Sequence, residues 1–218
     1  MIGTNPGQAQ AQINKFLEHG RKVDNVIYNA IGDFTLSVST SWYSPKAVQF
    51  RNTDFVYLEN AYSNLCLAYE NIAASAARAF NAHARANDIP TIGVPETGKY
   101  VEAEAIIESF GYDFQEKSPN GTVGMDKATV EIAMNEFHKK IDNAMQLVDE
   151  TPYDIAFYDE DGSQVATFKN EINKMKSAFI TRFKNVDKLL QNALNEEIQT
   201  VELAAKQAVT ELQSTTQL

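Results

Sequence analysis

The stretch FVYLENAYSNLCLAYENIAASAARAF, residues 55–80, decides the architecture. Its apolar residues Phe55, Leu58, Tyr62, Leu65, Tyr69, Ile72, Ala76 and Phe80 recur at alternating steps of three and four. That spacing puts them on one face of a long α-helix, because 3.6 residues complete a turn. Upstream, Ile13, Phe16, Gly20, Val23, Ile27, Ala30 and Phe34 repeat the pattern. Between the two stripes lies Ser39-Thr40-Ser41-Trp42-Tyr43-Ser44-Pro45, poor in helix formers and closed by a proline. Proline is tolerated in a helix's first turn, where its missing N–H has no intrahelical partner, and Ser44 is then the expected N-cap. Residues 8–86 therefore predict two long antiparallel helices joined by a short turn.

The second half follows the same plan. Val130, Ala133, Phe137, Ile141, Ala144 and Val148 form a third stripe. Phe168, Ile172, Met175, Phe179, Phe183, Val186 and Leu190 begin a fourth, continued by Ile198, Val201, Ala205, Ala208 and Leu212. Asp159-Glu160-Asp161-Gly162-Ser163 is the turn before it. The offset that sets Gly162 under Ser44 also sets Val165 under Ala47, Phe168 under Phe50 and Asn170 under Asn52, which points to an internal duplication. The segment from 91 to 124, punctuated by proline and glycine, links the hairpins; Tyr100 to Phe110 predicts a short helix within it. Tyr153 to Tyr158 predicts a brief strand or extended turn, too short to found a sheet.

The expected fold is all-α: an elongated four-helix bundle of two antiparallel hairpins, residues 1–90 and 125–218, with the connecting segment between them. The fourth helix looks longest, and beyond Leu194 it should project or pair with another copy of the chain. Composition agrees with a globular chain: 44% of the 218 residues are hydrophobic and 22% charged. Acids outnumber bases by 29 to 19, a net charge of -10 that makes nucleic acid a poor partner. No apolar run approaches the roughly 20 residues of a membrane-spanning helix, so no stable membrane insertion is expected. Residues 1–12 are polar, and the expectation is a chain without a cleavable signal peptide.

Chemistry is sparse. His19, His83 and His138 fall on separate predicted helices with no shared ligand spacing, and each reads as a solvated surface residue. Cys66, beside Leu65 of a buried stripe, reads as a structural thiol. The run from Asp159 resembles a calcium loop only at its start, since the twelfth position is Asn170 where a bidentate glutamate is needed. With no glycine-rich phosphate loop and no paired histidines, neither a cofactor nor a metal nor an enzymatic activity is expected. Trp42 stands apart. It is the only tryptophan, in the turn of a long hairpin, and two readings remain open: a plug over the end of the core, or an exposed anchor for a partner.

At Trp42 the sequence resembles the WXG family, small helical-hairpin proteins exported by type VII (ESX) secretion systems. Trp42, Ser44, Ala47 and Phe50, with Pro45 between, occupy the family's turn positions, Ser44 replacing its glycine; in the second half Gly162 and Phe168 do so, with Glu160 where tryptophan would stand. The resemblance covers residues 8–86 and, less fully, 126–212. It implies a tandem fusion in which two hairpins pack as an internal pseudo-dimer. It also implies a Tyr-x-x-x-Asp/Glu export signal, matched by Tyr100 with Glu104 and by Tyr112 with Glu116, though before the second hairpin rather than after it. The function so implied is binding without catalysis: an exported substrate or partner chaperone, recognised by secretion machinery or a cognate helical protein and secreted without a signal peptide. The alternative is a cytoplasmic or phage scaffold or adaptor, self-associating through its C-terminal helix.

Overall fold

In a computed structural model, which describes residues 5–98, 113–152, 155–158 and 164–215, each stripe becomes a helix. Helix α1 spans Pro6–Ser39 and starts at Asn5, whose side chain accepts the Gln8 N–H at 2.6 Å. A two-residue strand, β1 (Trp42–Tyr43), leads into α2 (Pro45–Phe50), a π-helical turn (Arg51–Phe55) and α3 (Val56–Ala86), which together make one rod. Strand β2 (Gly124–Met125) precedes α4 (Lys127–Asp149), capped by Asp126, which accepts from the Thr129 amide and hydroxyl. Strands β3 (Ala156–Tyr158) and β4 (Gln164–Thr167) form an antiparallel ribbon before α5 (Lys169–Thr215). At 47 residues α5 is roughly 70 Å long. The expected strand near Tyr158 is thus half of a two-stranded ribbon, and the expected helix at 100–110 lies outside the described residues.

Each helix packs on two others: α1 on α3 and α4, and α5 on the same two. The rings of Phe16 and Tyr69 meet midway along the first hairpin, and those of Phe34 and Phe55 nearer its turn. Lys140 pairs with Asp33, while His19 Nε2 lies 2.5 Å from the Leu147 carbonyl, so α4 also runs antiparallel to α1. His138 with Asp187 and Lys127 with Glu202 fix the same sense for α4 and α5. Every neighbouring pair is antiparallel, and the two hairpins turn at opposite ends. Buried residues of all four rods form one apolar cluster.

Because α3 ends at the far end and α4 starts beside Trp42, the connector must travel the length of the bundle. Asp88, with φ 55°, turns the chain out of α3, and the Ile89 N–H closes on the Ala84 carbonyl. Buried Asn81 then clamps Ile92 through both backbone groups, at 2.8 and 2.9 Å. Higher up α3, Glu70 accepts the Gly98 N–H at 2.6 Å.

Three sequence expectations need correction. The histidines are not simply solvated: His19 meets the last turn of α4, His138 bonds Asp187, and His83 meets Asn87. Leu194 and Ile198 are buried, so the exposed projection of α5 starts about two turns past Leu194, at Val201. The aligned phenylalanines are not equivalent: Phe50 ends α2, six residues past its cap, whereas Phe168 precedes α5 and its carbonyl accepts the Ile172 N–H. Pairing the two turns by sequence therefore sets residues from different helical turns against each other.

A close approach between α1 and α3 depends on Gly20. A Cβ there would sit 2.8 Å from the Tyr69 ring. The Tyr69 hydroxyl in turn meets buried Thr151 just past α4, and burial pushes the phenol up to about 12, so it stays a neutral bonding group. Gly20→Ala should cost about 1–3 kcal/mol in urea denaturation, the usual range for overpacking. Phe179→Asp, which buries an unpaired charge, should abolish cooperative unfolding. Val201→Asp, on the projecting turns, should leave the melting temperature nearly unchanged.

Candidate functional site

The turn between α1 and α2 is where the sequence concentrates its unusual residues. Helix α1 ends as Thr40 returns both its N–H and its hydroxyl to the Leu36 carbonyl, at 3.2 and 2.7 Å. The chain then extends, and β1 pairs with β2 of the connector, Trp42 opposite Met125 and Tyr43 opposite Gly124. Two further bonds extend this seam: Asp126 N–H to the Ser41 carbonyl at 2.7 Å, and Ser44 N–H to the Gln115 carbonyl at 3.1 Å. Ser44 is the N-cap, its hydroxyl accepting the Ala47 N–H at 3.0 Å, with Pro45 in the first turn.

The Trp42 side chain points inward and is 1% exposed. Its ring lies 5.6 Å from Phe50, tilted by 50°. Phe50 contacts Phe55 and Phe114, Phe34 stacks on Phe55 at 5.6 Å, and Phe137 lies 4.8 Å from Phe34. Rings from α1, the turn, the α2 rod, the connector and α4 therefore close one end of the bundle. Of the two readings of Trp42, the geometry is that of a plug; the indole is not presented to a partner.

The structure gathers Trp42, Ser44, Pro45, Ala47 and Phe50 in this one place. Phe168 is at the opposite end, its ring 6.4 Å from Phe157, which packs on Phe80. Glu116 is exposed, next to the Gln115 that bonds Ser44. Gly162, Tyr100, Glu104 and Tyr112 lie outside the described residues.

Sequence reasoning missed the π-turn. Its signal is a step of five from Phe50 to Phe55, where a regular stripe takes three or four. One extra residue in the turn rotates Phe55 inward in place of Asp54. Phe114 and Phe137 were also missed as members of the plug. The first lies in a segment without periodicity, and the second was legible only as a generic core position.

The surface around the plug is polar. Tyr43, half-buried, borders a shallow groove shared with Ser118, Asn120 and Thr122. The Thr129 hydroxyl, then its amide, hold the Asp126 carboxyl below the usual range. Among the described residues no three His, Cys, Asp or Glu side chains converge to hold a metal ion, and no helix is long and apolar enough to cross a membrane. Cys66 is buried and donates its S–H to Asp24 at 3.8 Å.

Because Trp42 is the only tryptophan, its fluorescence reports the plug directly. Emission should be blue-shifted and insensitive to iodide in the native state, and red-shifted in urea. Trp42→Ala should cost about 3–5 kcal/mol of stability, the range for truncating a large buried aromatic. Ser44→Ala should cost about 0.5–2 kcal/mol, the value of a cap. No protein-family model, no curated protein and no solved structure matches this chain.

Proposed function

We propose that the chain is a non-enzymatic binding protein of the WXG type, associated with type VII (ESX) secretion as an exported substrate or as a partner chaperone. The observation that supports this reading most is the packing of two helical hairpins head to tail, their turns at opposite ends. A WXG-like hairpin exposes an apolar stripe that a second hairpin must cover, and here the second hairpin belongs to the same polypeptide. The turn carrying the resemblance is built on its own residues, Ser44 capping, Pro45 opening the helix and Trp42 sealing the end.

With Trp42 buried, recognition falls to the surfaces around it. These are the polar rim of the turn and the projecting part of α5, where Val201, Leu203 and Val209 are exposed. The secretion machinery or a cognate helical protein is the partner this reading calls for, with release from the cell without a signal peptide.

The exposed apolar residues of α5 also support the second reading, a cytoplasmic or phage scaffold that self-associates through this helix. Light scattering distinguishes the two: a monomer is expected for hairpins paired in cis, a large ring or filament for a scaffold. The export reading is tested in a host with a type VII system by assaying culture fluid with and without the system's motor ATPase. Release should require the ATPase, and unchanged release in its absence rejects the proposal.

A further inference from the structure

One polar cluster bridges the two helices of the second hairpin and plays no part in the turn. His138 of α4, its side chain 45% exposed, places Nδ1 2.6 Å from Oδ2 of Asp187 on α5, whose side chain is only 7% exposed. Gln191, one turn beyond on α5, sets its amide nitrogen 3.0 Å from both Asp187 Oδ2 and His138 Nδ1. On the other side of the ring, Nε2 lies 3.4 Å from Asp142 Oδ2, one turn along α4. Asp187 Oδ1 is buried with no hydrogen-bond partner. Helix α1 packs on α4 as well, but its charged neighbour there, Asp33, is engaged with Lys140. The imidazole thus faces two carboxylates, Asp142 from its own helix and Asp187 from α5, and among the described residues it pairs with no cation.

We propose that the His138–Asp187 contact is a proton-operated fastener between α4 and α5, tight when the ring is charged and slack when it is neutral. The reason is the position of Asp187. A carboxylate taken out of water is costly unless an opposite charge accompanies it, and among the described residues the imidazolium is the charged partner within ion-pairing distance. When the ring loses its proton it can still donate from Nδ1, so the hydrogen bond survives while the charge does not. The seam then loosens without opening.

The direction with pH follows. The hydrogen bond from Asp187, opposed by partial desolvation and reinforced by the charges of Asp187 and Asp142, holds His138 above the ordinary histidine value of about 6.5. Stability from a group raised on folding is fully present below about pH 6.5 and is lost as pH rises through the folded value. Histidine is the side chain whose ordinary charge change falls inside this window, so its protonation dominates there.

The test is carried out on the full chain between pH 5.5 and 8.5. His138 is followed by NMR, its signal identified by its loss in His138→Gln, alongside thermal melts of wild type, His138→Gln and Asp187→Asn. The expected result is a His138 midpoint above 6.5, with a wild-type melting temperature that falls by about 2 °C or more across that midpoint. Both variants should lose that slope. A His138 midpoint at or below 6.5, a flat wild-type profile, or the full wild-type slope in either variant overturns the proposal. The NMR midpoint needs only folded wild type, so a variant that fails to fold does not decide the outcome.

Discussion

Two helices that meet along one stripe still leave much of their apolar surface in water, and the rest of this structure follows from that geometric shortfall. In α1 the buried set includes Ile13, Phe16, Val23, Ile27 and Ile31, more than α3 alone can cover. Helix α4 covers the remainder, and α5 completes the square against α3 and α4. Neither hairpin closes its own core. The connector therefore cannot be short: its residues 87–98 return along α3, and α4 begins beside the first turn and descends antiparallel to α1. Asn81 and Glu70 are the polar side chains on α3 that hold it there, each satisfying backbone groups that would otherwise lie unpaired against the bundle.

The rods were legible in the sequence because burial in a helix repeats every three or four residues, and that rhythm survives in one dimension. Ile13 through Phe34, Phe55 through Phe80 and Val130 through Val148 turn inward as the spacing requires. The cap at Ser44 was legible too, since an N-cap is a local device with its own residue preference. What could not be read is what depends on distant partners. Whether Trp42 faced inward depended on Phe50, Phe114 and a strand contributed by residues 124 and 125. The histidines looked alike in sequence and differ because only the fold brings Leu147 to His19 and Asp187 to His138. The apparent repeat at Phe50 and Phe168 misled because a short match in residue type carries no information about helical phase.

The polar groups divide by the same logic. Exposed pairs such as Lys139 with Glu136 add little to stability, because water screens them. Those that matter join elements that the chain keeps far apart. The Tyr62 hydroxyl donates to Asp24 across the first hairpin, and Tyr69 meets Thr151 between the hairpins. Lys127 and Glu202 tie the start of α4 to α5 where the latter leaves the bundle.

The opposed turns and the long crossover place the first turn of α1 and the last turn of α5 at opposite ends of the molecule. Traction applied between those two points acts parallel to the rods, so the interlocked side chains along α5 share the load and must slip together rather than peel apart one layer at a time. Mechanical resistance is then set by the whole length of the seam between Ile172 and Ile198.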